Sequence, residues 1–224
     1  CDGMGGLSGG ERASRDAVML LLEDYQKEAP REQYTEFLCR EAEKMDMAVH
    51  ELKTEKGEPL NAGSTTVSVI LSKGQLYWMS VGDSRIYVLR GDSMVPVTKD
   101  HNYRRELEES LARGEISQER FLTESATRKA EALTSYLGMG GLRRMERNGK
   151  PFPLEDGDII LLCSDGLYKS LDEHQIRAMI LDNKVSMQVA AKRLVRMALD
   201  MAVKSQDNTT VILLQYHKSQ VEEE

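Results

Sequence analysis

Apolar residues in the first quarter of the chain recur at the period of a helix. From Gly9 to about Glu28, Ala13, Ala17, Leu20 and Leu21 fall at helical spacing, and Pro30 marks a stop. Beyond it Leu38, Ala42, Met45, Val49 and Leu52 advance by threes and fours, a stripe that must face a core. Gly57 and Pro59 close this predicted helical hairpin. The period then shortens. Thr65 to Leu71, Gln75 to Val81, Ile86 to Leu89 and Met94 to Val97 are short β-rich runs separated by Lys73-Gly74, Gly82-Asp83 and Gly91-Asp92, which predicts an antiparallel meander. Consecutive strands joined by tight turns imply sheet-on-sheet packing, not a parallel nucleotide-binding sheet.

Asp100 to about Tyr136 is polar and weakly periodic, so a helix followed by a mobile surface segment is expected. Strands return around Leu142 to Glu146 and Ile159 to Cys163. Ser170-Leu171-Asp172-Glu173 offers a capping box for a helix reaching Leu181. Ala190, Leu194, Met197 and Met201 mark a last amphipathic helix before a final strand from Thr209 to Gln215, and the tail Val221 to Glu224 is expected to fray. The methionine-rich stripes read as core packing, because Met fills core gaps readily. Helices, then strands, then helices and a strand predict an α+β fold, with antiparallel sheets inside and helices outside, in a single domain over residues 1–224.

Composition adds mainly exclusions. A chain of 224 residues with 40% hydrophobic content can bury a sizeable core. A net charge of -7 and a pI near 5.3 argue against a general nucleic-acid or membrane-surface binder, which needs clustered Lys and Arg. No apolar run approaches the ~20 residues of a membrane span and no signal-peptide pattern is present, so the expected location is cytoplasmic. The three cysteines, Cys1, Cys39 and Cys163, lack metal-site or disulfide-framework spacing. Cys163, in a buried apolar run without a neighbouring activator, reads as core.

The candidate chemistry lies in the aspartates. Asp2 sits inside the glycine cluster Gly3-Met4-Gly5-Gly6, Asp165-Gly166 follows the apolar run Ile159 to Leu162, and Asp207-Asn208 precedes Thr209 to Leu214. Three carboxylates at the ends of predicted buried strands can converge, and such a convergence suits hard divalent cations. Each Asp-Gly or Asp-Asn alone would read as a turn.

Seven separated motifs carry a family resemblance: Asp2-Gly3-Met4-Gly5-Gly6, Gly63-Ser64-Thr65-Thr66, Val81-Gly82-Asp83-Ser84-Arg85, Asp100-His101, Leu137-Gly138, Ser164-Asp165-Gly166-Leu167 and Asp207-Asn208-Thr209. In this order and approximate spacing the chain resembles, over essentially its whole length, the bacterial branch of the metal-dependent type 2C protein serine/threonine phosphatases. The resemblance implies a four-layer αββα sandwich of two mainly antiparallel sheets. It also implies two Mg²⁺ or Mn²⁺ ions, bridged by Asp2 and held by the Gly3 carbonyl, Asp165 and Asp207, with a weaker third ion at Asp83. Catalysis is then assigned to Asp2, Asp165 and Asp207 through the ions, which activate a water in line with the leaving serine or threonine oxygen. Residues from about 102 to 137 correspond to the family's variable flap. Met4 stands where some relatives carry His, so a metal-bound water is expected to protonate the leaving group.

Two departures qualify that pattern. The family's first strands, with an arginine for phosphate and an acidic metal ligand, should precede Cys1. The chain is therefore expected to lack these N-terminal strands, to be a fragment, and to have weak or no activity. Lys169 stands where many relatives carry a further Asp, and its ammonium should weaken the third ion. The expected partners are phosphorylated proteins and a cognate serine/threonine kinase, with no nucleic acid and no membrane, and a monomer is expected, with a strand-swapped oligomer as the alternative. Two rival readings are a non-catalytic phosphoprotein-binding or regulatory member of the same fold and a metal-dependent hydrolase of a small phosphorylated metabolite. His101 reads as a satisfied structural histidine, Arg85 as the partner of a structural carboxylate, and Arg143, Arg144 and Arg147 as a solvated face.

Overall fold

The computed structural model describes residues 1–4, 9–182, 185–201 and 207–218. Gly5 and Gly6 of the opening glycine cluster and the tail Val221 to Glu224 lie outside the described residues. The chain divides into two compact units. One comprises Cys1–Ser68, Met79–Asp83 and Lys99–Arg147, the other Val69–Trp78, Ser84–Thr98 and Asn148–Glu224.

In the first unit the predicted hairpin is two helices, α1 (Gly10–Glu28) and α2 (Tyr34–His50). Ala13 and Ala17 on α1 are fully buried, as are Ala42 and Met45 on α2, so the stripes read from the sequence do face a core. Not every methionine joins it: Met19 and Met47 are exposed. The two-residue strand β1 (Asp2–Gly3) pairs antiparallel with β2 (Ser64–Ser72), setting Asp2 opposite Thr65 and Gly3 opposite Ser64. β3 (Gln75–Val81) follows.

The segment expected to be a helix and then mobile chain is two helices instead, α3 (Tyr103–Ala112) and α4 (Gln118–Ser125), with a 3-10 turn at Arg128–Glu131. Asn102 and Ser117 cap them, each side-chain oxygen accepting the backbone N–H three residues on, from Arg105 at 3.0 Å and Arg120 at 3.2 Å. Short capped helices with one buried residue apiece, Leu107 and Ser125, carry too narrow an apolar stripe to show as a period.

Where the flap segment ends, Asp46 of α2 holds the chain. Buried to 1% exposure, its Oδ1 accepts from Gly138 N at 2.7 Å and Met139 N at 2.9 Å, and its Oδ2 from Gly141 N at 2.6 Å. Three charge-assisted bonds on one buried carboxylate make it the fastening of the Leu137-Gly138 motif to the helical hairpin. Asp46→Ala should lower the unfolding free energy by about 3 kcal/mol, and Asp46→Asn, which keeps the two bonds at Oδ1 but sets its amide NH2 against the Gly141 N–H, by about 2 kcal/mol. Urea melts of the two variants check the difference, and equal melts would remove Asp46 from this role.

The second unit holds one complete sheet, in the order β5-β4-β8-β9, of β4 (Arg85–Arg90), β5 (Ser93–Pro96), β8 (Ile159–Cys163) and β9 (Val211–Gln215). All five residues of β8 are buried, which is why its sequence is a continuous apolar run rather than an alternation. Tyr87, Leu161 and Leu167 pack with Ile176 of α6 (Glu173–Ile180) and Leu194 of α7 (Met187–Met201). The other sheet runs β1-β2-β3-β6, with β6 (Glu146–Arg147) on β3 and β7 (Phe152–Pro153) also on β3.

The predicted meander is therefore two hairpins, β2-β3 and β4-β5, in different sheets. Gly82-Asp83 is not a hairpin turn but the link between the sheets. The predicted capping box also shifts. Its cap is Asp172, which exchanges bonds with Gln175, because Ser170 and Leu171 still close turns onto the Leu167 carbonyl. Two antiparallel sheets with helices give the mixed α+β architecture expected. Among the described residues no helix is long and apolar enough to cross a membrane.

Candidate functional site

Within the first unit, Asp2, Gly3 and the Gly82-Asp83 link gather around Thr65. Asp2 N donates to Thr65 Oγ1 at 3.2 Å, and Ser64 Oγ donates to the Asp2 carbonyl at 3.0 Å. Gly82 lies on the same threonine, in a left-handed conformation at φ 102° that favours glycine; a Cβ there would stand 2.6 Å from Thr65 Cγ2. The Gly63-Ser64-Thr65-Thr66 motif is thus the floor on which both aspartate-bearing segments rest. Gly3 meets the start of α1 so closely that a Cβ would lie 2.0 Å from the Gly10 carbonyl oxygen.

His101 brackets the link from the other side. Gly82 N donates to its Nδ1 at 3.1 Å, and its own backbone N donates to the Gly82 carbonyl at 2.9 Å. With Nδ1 accepting, the proton of the neutral ring belongs on Nε2, which is buried and has no hydrogen-bond partner. The histidine is structural, as the sequence suggested, but only half satisfied.

Burial first, and then the Arg144 charge, pull its pKa down to about 4, against smaller opposing effects of Asp100 and Glu109. The sign follows from which state takes the proton. The unfolded chain protonates near pH 6.5 and the folded one does not until about 4, so this contribution to stability is complete above 6.5 and lost as pH falls through that window. The loss amounts to about 3 kcal/mol. Denaturant melts from pH 7 to 4 should show it, and His101→Asn, which retains an acceptor near the Nδ1 position, should flatten the slope. An unchanged slope would place the acid sensitivity elsewhere.

In the second unit Asp165 opens α5 (Asp165–Tyr168) directly after β8. Its neighbour Ser164 fastens that turn to the start of β9: Ser164 Oγ donates to the Asn208 carbonyl at 3.1 Å and accepts from Thr210 N at 3.0 Å. Gly166 completes the approach, since a Cβ on it would be 2.6 Å from both the Asn208 carbonyl oxygen and Thr209 Oγ1. The Asp165 and Asp207-Asn208 segments, far apart in sequence, therefore abut. Asp207 is exposed and its Oδ1 accepts from the adjacent Asn208 N at 2.9 Å.

Asp165 is held through one oxygen alone. Its Oδ1 is buried without a hydrogen-bond partner, while Oδ2 accepts from Lys169 Nζ at 2.6 Å. An ionised oxygen left unpartnered away from water is costly, and a hard cation is the partner that suits it. Within each unit the candidate groups, Asp2, the Gly3 carbonyl and Asp83 in the first and Asp165 and Asp207 in the second, offer oxygen donors alone, the chemistry that suits Mg²⁺ or Mn²⁺. Among the described residues no three His, Cys, Asp or Glu side chains already form a closed cluster of metal-ligand size.

Arg85 donates to Tyr87 Oη at 3.1 Å and lies over the Tyr168 ring at 3.6 Å, contacts its sequence context did not suggest. Arg143 and Arg147 are exposed as expected, whereas Arg144 is half-buried and bonds Glu109 at 3.0 Å. Cys163 is buried in β8, as predicted.

The chain is a mixed α+β fold with two antiparallel sheets, and its candidate aspartates stand near strand ends on turns tightened by glycine. The chain belongs to the protein phosphatase 2C family, whose model matches residues 1–204. It is 32% identical over 218 residues to the serine/threonine phosphatase stp of Listeria welshimeri, covering 96% of this chain and 82% of that protein. Its fold matches the serine/threonine phosphatase of S. agalactiae with a TM-score of 0.80 at 23% identity, over 97% of this chain and 85% of the other. It also matches the catalytic domain of the serine/threonine protein phosphatase PstP in complex with 2 manganese ions, with a TM-score of 0.72 at 23% identity over 96% and 85% of the two chains.

Proposed function

We propose that the protein hydrolyses phosphoserine and phosphothreonine in other proteins, using two Mg²⁺ or Mn²⁺ ions held by Asp2, the Gly3 carbonyl, Asp165 and Asp207. Family membership and the Listeria relative's phosphatase name support the reaction class, and the manganese of the PstP catalytic domain supports the choice of ion. The observation from this chain that carries the reading is the buried, unpartnered Asp165 Oδ1 on a turn packed against the Asp207 segment.

Such ions, when bound, lower the pKa of a coordinated water toward ~7 and neutralise charge developing on phosphorus. The chain's own residues hold and orient. Ser64 and Thr65 fix the Asp2 backbone, Thr65 and His101 fix the link carrying Asp83, and Ser164 and Gly166 fix the Asp165 and Asp207 segments against each other. Asp83 is the candidate for a third, weaker ion. The substrates on this reading are phosphorylated proteins supplied by a serine/threonine kinase, met in the cytoplasm by a monomer.

The test is release of phosphate from phosphothreonine, phosphoserine and phosphotyrosine peptides and from a small aryl phosphate, with Mn²⁺ and again after chelation. Weak metal-dependent turnover that favours phosphothreonine and phosphoserine peptides is expected. Preference for the small ester would favour a metabolite hydrolase, and phosphopeptide binding without turnover would favour a non-catalytic member; either result overturns the proposal.

A further inference from the structure

We propose that Lys169 is a resident counter-cation of Asp165, which a divalent ion must displace before Asp165 can ligate it. The inference deepens the reading of Asp165 as a metal ligand and rests on it. Three observations carry it.

First, the pair is close and built in. Lys169 caps α5, its backbone N donates to the Asp165 carbonyl at 2.9 Å, and that single helical turn sets its side chain one turn above the carboxylate. Its Nζ then meets Oδ2 at 2.6 Å.

Second, the pairing is incomplete. The ammonium takes one oxygen and leaves Oδ1 buried and unpartnered. Glu41 of α2 shares this pattern, with Oε1 on Lys44 at 2.8 Å and Oε2 buried without a partner, but Asp165 in addition stands on a turn packed against the aspartate-bearing start of β9, where a shared ligand would be needed.

Third, Lys169 can leave. Its side chain is 41% exposed against 13% for Asp165, so the ammonium regains water as it swings away while the carboxylate stays in place. A flexible four-carbon stem carrying a point charge suits that exchange better than the planar fork of an arginine.

Displacement has a cost that appears as reduced metal affinity. An exposed pair of this kind is modest, and the displaced ammonium still repels the incoming ion at short range, so the two effects together should reduce Mn²⁺ affinity by about three- to tenfold. Lys169 would then set how much metal the protein needs, independently of the ligands themselves.

Calorimetric titration of Mn²⁺ into the full chain and into Lys169→Met, Lys169→Gln, Lys169→Arg and Asp165→Asn reads this directly, without relying on turnover. Lys169→Met and Lys169→Gln should bind Mn²⁺ three- to tenfold more tightly, and Lys169→Arg, whose planar fork releases a carboxylate less readily, should bind no more tightly than the parent. If both uncharged variants bind no more tightly than the parent while Asp165→Asn binds more weakly, the counter-cation role is overturned and Asp165 remains a ligand. If Asp165→Asn binds Mn²⁺ as the parent does, the ligand assignment itself fails, and the inference with it.

Discussion

Asp165→Asn is expected to cut metal-dependent phosphate release at least about 100-fold while moving the melting temperature by less than about 4 °C. The activity loss follows from the ligand role. Substituting even a group that supports a metal ligand costs 10–100-fold, and an amide offers the ion a neutral oxygen in place of an anionic one. The small thermal effect follows from what Asp165 does for the fold. Its Oδ1 makes no hydrogen bond, and its Oδ2 bonds a lysine whose side chain is 41% exposed. Such a pair contributes under about 1 kcal/mol, and in a chain of this size that is about 2–4 °C. Stability kept and activity lost is the signature of a group retained for chemistry. A variant that melts more than 10 °C lower would make Asp165 a structural residue, and one that keeps its activity would remove it from the metal.

What the sequence made legible was whatever repeats along the chain. The α1–α2 hairpin showed through Ala13, Ala17, Leu38, Ala42 and Met45, and β8 through an unbroken apolar run, because burial on one stripe or on both faces leaves a periodic trace. The strand-end aspartates were legible for a related reason: Asp-Gly and Asp-Asn punctuate the ends of apolar runs.

Contacts made by single atoms left no trace. Thr65 lies under both Asp2 and Gly82, yet its motif, which counts toward the family resemblance, shows in its own pattern only the start of a β-rich run and not what it touches. Asp46 falls one place after the buried Met45 in α2, with nothing to mark that it accepts from a loop more than 90 residues away. The change of sheet at Gly82 was hidden because a glycine-aspartate pair serves a hairpin and a crossover equally well. The Lys169 and Asp165 pair sits at the i, i+4 spacing of helical ion pairs, so the charge was visible from the sequence while the half-satisfied carboxylate was not.

Gly3→Ala should be strongly destabilising, for a reason distinct from backbone conformational freedom. The added Cβ would stand 2.0 Å from the Gly10 carbonyl oxygen and 2.3 Å from its carbon, distances that no side-chain rotation relieves because the colliding atoms are backbone. Either β1 slides off β2 or the first turn of α1 moves away. The first outcome breaks the pairing of Asp2 with Thr65 and of Gly3 with Ser64. The second opens the packing of Ala13 and Ala17, both fully buried. Overpacking in a core costs about 1–3 kcal/mol when side chains can adjust. With backbone on one side of the collision and a strand or helix to displace, about 4 kcal/mol or more is expected, the range in which single substitutions are diagnostic of mechanism. Because the Gly3 carbonyl is also a proposed ligand, Mn²⁺ affinity should fall along with stability, in contrast to Asp165→Asn, where only the first of these changes. Melts and Mn²⁺ titrations of the two variants side by side separate the cases, and a Gly3→Ala protein as stable as its parent would show that β1 and α1 do not approach as closely as the structure places them.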